Sequence, residues 1–336
     1  MRNSNRQWKL ARYPEGMPKV DDWVLDEAPV PEPGPGELLL GARFLDVAPY
    51  MRGRINPAKN YAAGVSPGDV MIGGAVSEVL SSNADGYAPG DLVVCDFEFG
   101  WQDYAVLHAA RVRRVDTALA PAECWLDVLG LNGVTAYFGL FDAASMRAGD
   151  TVVVSAASGS VGQIVGQLTK IAGGRAIAVT STSDKLEWCR ELGFDDGIAY
   201  RETDDLAGVL RKLCSDGLDV YFDNTVGPNL DAALQNLAPR ARITICGTVS
   251  LAGRFGEADL GERYWRQVLV ARARIQGFLV LDYQDRYGEA RERLAGWVRE
   301  GRIRQRFDIA EGLERAPEAF IRLLTSRNQG KQLVSV

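Results

Sequence analysis

One stretch restricts the fold of this chain more than any other: TVVVSAASGSVGQIVGQLTKIAG, from Thr151 to Gly173. The β-branched run Thr151 to Ser155 has the composition of a buried strand, and Val161, Ile164, Val165, Leu168 and Ile171 then recur at helical spacing. Between them Ala157, Gly159 and Gly162 stand in the G-x-G-x-x-G register, with Ala at the first position. A strand that turns this tightly into a helix presents backbone N–H groups and the positive end of the helix dipole to an anion. Ser158, Gly159, Ser160, Val161 and Gly162 are therefore the candidate cradle for a dinucleotide pyrophosphate. The same spacing also occurs in ordinary strand–helix turns, and what favours the cradle is its setting between a strand and a helix in a βαβ unit.

The text on either side changes character near Pro121. After it, the short runs RAIAVT, DVYFDN, RITICG and RIQGFLV are separated by helix-length stretches, the pattern of a doubly wound α/β fold with a parallel sheet covered on both faces. Before it, from Trp23 to Val115, apolar runs are cut by PEPGPG, SPGD and GYAPGD, which reads as a small β-rich domain, a partly closed barrel. A chain of 336 residues accommodates both: residues 1–122 as the β domain, completed by 300–336, and 123–299 as the α/β domain. The C-terminal FIRLLTSRNQGKQLVSV ends in a strand pattern that folds back on the first domain.

Composition removes several classes of function. Hydrophobic residues make up 46% and charged residues 24%, values of an ordinary globular protein. The net charge of -6 comes from interleaved acids and bases with no basic stripe, so a nucleic acid partner is not expected. No apolar run has the length of a membrane span or a signal segment, which points to the cytoplasm. Five irregularly spaced cysteines and a single histidine, His108, offer neither a disulfide framework nor metal-ligand spacing, so no metal is expected.

The end of the run RAIAVT discriminates between nicotinamide cofactors. An Asp or Glu there would accept from a ribose 2′-hydroxyl and repel a 2′-phosphate, whereas this chain has Thr180, Ser181, Thr182 and Ser183, followed by Lys185. Hydroxyls and a cation favour NADPH. Asp184 is the alternative, as a ribose partner, with Lys185 then merely opening an exposed helix.

Taken together, PYMRGR, GWQDYAV, LGLNGVTAYFGL, AASGSVG, ELGFDDGIAY, YFDNTVG, ICGTVS, RIQGFLV and NQGKQLV extend over nearly the whole chain. In these motifs the chain resembles the zinc-independent branch of the medium-chain dehydrogenase/reductase superfamily, the NADPH-dependent double-bond reductases that include prostaglandin, alkenal and curcumin reductases. The resemblance implies a Rossmann domain beside a GroES-like barrel, a homodimer, and reduction of small α,β-unsaturated carbonyl compounds. By position it implies Lys185 and Tyr200 at the 2′-phosphate and Asn224 beside the cofactor. It implies Cys246, Gly247, Thr248, Val249 and Ser250 with Phe278, Leu279 and Val280 around the nicotinamide, and Asn328 reaching the cofactor from the C-terminal segment. Taken singly, Tyr200 could equally be a surface aromatic, Asn224 a turn residue and Asn328 a loop cap. Two departures stand out: Ala48 replaces the Asp of the relatives' DPYMR, and Leu251 and Ala252 occupy the place where many relatives carry a Tyr.

Hydride delivery to the β carbon of an enone pushes charge onto the carbonyl oxygen, so the site needs a donor for an enolate rather than a nucleophile. Tyr50 of PYMRGR is the first candidate, with Arg52 closing the site; Tyr264 of GERYWRQ is the second. The alternatives are Tyr50 at a packing interface, Arg52 in a surface ion pair and Tyr264 in a helix core. Trp101 and Tyr104 either line a pocket for apolar substrates or belong to the core. Quinone reduction by the same cofactor site, or cofactor binding without turnover in a structural protein, are the rival functions.

Overall fold

A computed structural model describes residues 3–58, 60–254 and 256–336 and divides the chain into two compact units. The first comprises Met1–Leu126, Ala252–Gly256 and Phe307–Val336, and the second Asp127–Leu251 and Glu257–Arg306.

In the first unit, β1 (Asn5–Leu10) pairs antiparallel with β2 (Trp23–Ala28). The long strand β3 (Glu37–Asp46) is the hub, followed by the short helix α1 (Tyr50–Arg54), then β4 (Ala75–Ser82), β5 (Leu92–Cys95), β6 (Tyr104–His108) and β7 (Arg113–Arg114). Two of the turns are built alike from their sequence. In SPGD and APGD the Asp N–H returns to the carbonyl of the residue before Pro, Asp69 to Ser66 at 3.0 Å and Asp91 to Ala88 at 3.1 Å. Gly68 and Gly90 adopt φ +95° and +94°, the left-handed position of a Pro-Gly turn that a side chain would strain. The Asp carboxylates then accept from Ser66 N at 3.0 Å and Ala88 N at 2.8 Å, closing each turn a second time. The lone histidine performs local work of the same kind, its Nδ1 accepting from Ala110 N at 3.1 Å.

The second unit begins with α2 (Leu131–Phe138) and continues as β8 (Thr151–Ser155), α3 (Ser160–Ile171), β9 (Arg175–Thr180), α4 (Ser183–Glu191), β10 (Asp196–Ala199), α5 (Leu206–Leu213), β11 (Leu218–Asp223), α6 (Pro228–Leu234), β12 (Leu237–Ile245), α7 (Trp265–Ala271), β13 (Arg274–Gly277) and α8 (Tyr287–Arg299). The sheet order is β10-β9-β8-β11-β12-β13 with every pair parallel, the doubly wound arrangement. Strand order reverses at β8, which carries the glycine-rich turn at its C-terminal end. Val153, Ile177, Val179, Leu218, Tyr221 and Ile243 from the central strands pack against Leu210, Ala232 and Ala233 of the helices; each Val, Ile or Leu side chain so removed from water is worth about 1.5–3 kcal/mol.

The chain then returns to the first unit with β14 (Phe307–Glu311), α9 (Ala316–Leu324) and β15 (Lys331–Ser335). β15 runs parallel to β14 and antiparallel to the end of β3, Leu333 opposite Asp46, while β6 pairs with the beginning of β3. Leu333 joins Val76, Val94 and Leu126 in one cluster. Trp101 is fully buried, edge-on to Phe320 and tilted against Trp23, so it is a core residue and not a pocket wall. Among the described residues no helix is long and apolar enough to cross a membrane.

Candidate active site

The turn after β8 is built by its backbone. Ala156 takes a left-handed φ of +47°, Ala157 N bonds to Val179 O of β9 at 3.2 Å, and Gly159 N returns to Ala156 O at 2.9 Å. Gly159 is the N-cap of α3 and no side chain caps the helix. The first N–H groups of α3 have no acceptor within the helix, because an α-helix satisfies its amides only from the preceding turn. A Cβ on Gly162 would collide with the Ala156 carbonyl and lie 2.8 Å from Ala157 Cα, so only glycine lets the helix start this close to the strand. Uncapped donors, a half-exposed turn and this close approach fit a pyrophosphate. Beneath the turn is a residue that the motif does not announce: Asp127 is fully buried, accepts from the Ser160 hydroxyl and receives Gln163 Nε2 at 3.4 Å.

A second network ties the ends of β8 and β11 together. Asp223 is buried, and its Oδ1 accepts from Ser155 Oγ, Thr225 N and Val226 N, each at 2.9 Å. Asn224 donates its backbone N–H to Ser155 Oγ at 2.8 Å and its side-chain amide to Ser155 O at 2.7 Å. Burial pushes the Asp223 carboxyl above its ordinary range, against the pull of those donors. The ICGTVS segment is laid over this end: Cys246 N and Gly247 N donate to Asp223 O at 2.8 and 3.1 Å, and Ser250 Oγ donates to Thr225 O at 2.6 Å. Phe278 N bonds to Ile245 O at 3.0 Å, bringing Phe278, Leu279 and Val280 alongside. The turn Ser158 to Gly162, Asn224, Cys246 to Ser250 with Thr248 and Val249 between, and Phe278 to Val280 therefore gather at the carboxyl ends of β8, β11, β12 and β13. Burial lifts the Cys246 thiol to about 12, so it carries no thiolate at neutral pH.

At the end of β9 the Thr180, Thr182 and Ser183 hydroxyls already have partners, while the buried Ser181 Oγ has none among the described residues. Glu202 accepts from Ser183 N at 2.8 Å and from Ser183 Oγ at 2.5 Å, and these two bonds hold its carboxyl below the usual range. The Thr182 hydroxyl donates to Asp184 and lowers that carboxyl likewise. Lys185 is 9% exposed on α4, and the half-buried Tyr200 ring packs against the sheet core with the Arg201 guanidinium 5.9 Å from its centroid. A phosphate that uses the Ser183 donors has to take them from Glu202, a residue that sequence reasoning missed because it lies beyond the next strand.

In the first unit α1 carries Tyr50 edge-on to Phe97, centroids 5.3 Å apart. Its hydroxyl oxygen is buried and has no hydrogen-bond partner among the described residues. Burial, then the nearby Asp46 carboxylate, push the phenol well above its ordinary range, so it stays protonated. Arg52, 3% exposed, donates Nε to Ala252 O and Nη2 to Gly16 O, both at 2.9 Å, and is a brace between loops of this unit. Tyr264 donates its hydroxyl to Glu262 and packs its ring on the core of the second unit. Asn328 is buried and donates Nδ2 to Gly330 O at 2.8 Å, closing the loop before β15.

A buried hydroxyl without a partner costs stability, so Tyr50→Phe should raise the unfolding free energy by about 1–3 kcal/mol in urea titrations. Because native Tyr50 keeps a proton that the unfolded chain releases, stability also falls as pH rises past the ordinary phenol range, and the variant loses that component of the fall. A variant less stable than the parent would mean that the hydroxyl has a partner in solution.

Residues 6–115 match the family described as the N-terminal domain of oxidoreductase, and residues 160–296 match the family described as zinc-binding dehydrogenase. Among the described residues no three or more His, Cys, Asp or Glu are grouped to hold a metal ion. The chain is 39% identical to the NADPH-dependent curcumin reductase of Escherichia coli over 337 residues, covering 99% of this chain and 97% of that one. It is 34% identical over 340 residues to the NADP-dependent 2-alkenal reductase of Nicotiana tabacum, covering 99% of this chain and 98% of that one. CurA of Vibrio vulnificus, solved in complex with NADPH, superposes with a TM-score of 0.92 at 37% identity, covering 98% of this chain and 99% of that one. Full-length likeness at this level places the chain in the medium-chain dehydrogenase/reductase superfamily, as a member of its zinc-independent branch of NADPH-dependent double-bond reductases.

Proposed function

We propose that this protein reduces the carbon–carbon double bond of α,β-unsaturated ketones or aldehydes with NADPH, hydride going to the β carbon and no metal taking part. The observation that carries the reading is the Tyr50 phenol, buried at its hydroxyl, protonated and without a hydrogen-bond partner among the described residues. A donor held in that state suits an oxygen that gains negative charge during the reaction, because a preorganised donor in a dry site needs no reorganisation as the charge appears. NADPH supplies the hydride when bound. The donors at the start of α3 hold the pyrophosphate, with Asp127 fixing Ser160 in the cradle, and Lys185 and Tyr200 take the 2′-phosphate. Asn224 with Cys246 to Ser250 and Phe278 to Val280 orient the nicotinamide end, with Asn328 contributing from the C-terminal segment. Tyr50 donates to the carbonyl oxygen, Arg52 keeps the loops beside α1 in place, and Tyr264 is the alternative donor. The proton for the α carbon comes from solvent or from a relay through the same phenol.

The chain is further proposed to be a homodimer through the second unit. β13 ends the sheet order with one edge unpaired among the described residues. On the neighbouring α7 and the segment before it, Leu260 and Leu269 are each 75% exposed, with Trp265 and Val270 also in the open. Several large apolar side chains exposed near a free sheet edge are costly to leave in water.

With an enone, an enal and a quinone as acceptors, NADPH consumption is expected with the first two. Tyr50→Phe should slow single-turnover hydride transfer to the enone by about 10- to 100-fold with NADPH affinity unchanged. Turnover of the quinone alone, or full-rate transfer by the variant, would sink the assignment. Lys185→Ala should weaken NADPH binding by about 1–3 kcal/mol and leave NADH untouched; equal losses would remove Lys185 from the phosphate site. In sedimentation, the wild type should run as a dimer and Leu269→Glu as a monomer, and a monomeric wild type would end the dimer proposal.

A further inference from the structure

The reaction as proposed makes no use of a charge pair sealed inside the first unit. Lys331, the first residue of β15, is 2% exposed, and its ammonium bonds to the Asp46 carboxylate at the end of β3. Taking both charges out of water is unfavourable, and apolar residues of the same volume would hold two strands together as well or better. Strand cohesion alone therefore does not account for the pair.

The pair stands where α1 is launched. Only Val47, Ala48 and Pro49 separate Asp46 from Tyr50, and Val47 and Ala48 are buried. Lys331 Nζ also reaches Val47 O at 3.4 Å, and Trp101 Nε1 donates to Asp46 O at 3.2 Å. Side chain and backbone of residues 46 and 47 are thus fixed by two fully buried neighbours. Among the described residues no hydrogen bond sets the aim of the Tyr50 hydroxyl; its position follows from the root of α1 and the edge contact with Phe97. We propose that the buried Lys331–Asp46 pair is a positioning device that sets the place and electrostatic surroundings of the Tyr50 hydroxyl, an inference that rests on Tyr50 being the donor. The Asp46 carboxylate acts on the phenol through space, and Lys331 balances its charge.

The test is a cycle on the full chain: Asp46→Leu with Lys331→Met, made in the wild type and in the Tyr50→Phe background. The readout is single-turnover hydride transfer from saturating NADPH to an enone, with NADPH affinity measured alongside. The pair replacement should fold, bind NADPH as the parent does, and transfer hydride about tenfold more slowly, while slowing the Tyr50→Phe protein less than about twofold, since contacting groups are non-additive. Lys331→Arg, which keeps the charge, should retain most of the rate. Should the apolar pair fail to fold, Asp46→Asn with Lys331→Gln takes its place under the same expectations. Full-rate transfer by the pair replacement, or equal slowing in both backgrounds, would overturn the positioning role while leaving the reductase reading intact. A Tyr50→Phe protein that transfers hydride at the wild-type rate would instead remove the donor assignment and this inference with it.

Discussion

The first amides of α3 have no acceptor in their own helix, and the second unit is built around keeping them open. A side-chain cap would be the ordinary solution for a helix start, yet the N-cap is Gly159. The glycine at position 162 lets the helix begin against the strand, and Asp127 holds the Ser160 hydroxyl. The reversal of strand order at β8 leaves a crevice at the carboxyl ends of the strands, where a doubly wound sheet accommodates a dinucleotide. Asp223 maintains that crevice: one carboxylate oxygen collects Ser155, Thr225 and Val226, and the strand ends that carry Asn224 and Cys246 follow from it.

Buried polar groups mark the two places that matter most. Around Asp223 one carboxylate oxygen gathers a set of buried donors, while its Oδ2 is buried with no hydrogen-bond partner among the described residues. At Tyr50 a phenol hydroxyl is buried with no hydrogen-bond partner among the described residues, and burial and a carboxylate keep it protonated. Groups left unsatisfied at a local cost in stability concentrate at functional sites, and here the cost falls on a side chain whose proposed task is to donate to charge that exists only during reaction.

Much of this was legible in the sequence because it depends on local pattern. The strand–turn–helix of Thr151 to Gly173, the Pro-Gly turns and the run RAIAVT all depend on neighbours in the chain. The strand Asp196–Ala199 escaped the pattern, since DGIA has too few apolar residues to announce itself. The partners of the site were less legible. Glu202 reaches Ser183 from beyond β10, Asp127 comes from the segment before α2, and Lys331 meets Asp46 across nearly the whole chain. Asp127 left a faint trace, an acid inside the apolar run CWLDVLG; Lys331 left none, because a lysine near a C-terminus looks like a solvated end. Arg52 was read as a group at the substrate, and its engagement with two backbone carbonyls could not be foreseen, since Gly16 and Ala252 offer only main chain.

The central claim is chemical: hydride from NADPH arrives on the β carbon of a conjugated carbonyl compound. The most direct measurement uses NADPH carrying deuterium at the transferable position of its nicotinamide ring, an enone as acceptor, and NMR of the product. Deuterium on the β carbon of a saturated ketone, with a solvent-derived proton on the α carbon, is the expected result. Deuterium on a carbinol carbon, with the double bond intact, would identify a carbonyl reductase and contradict the account.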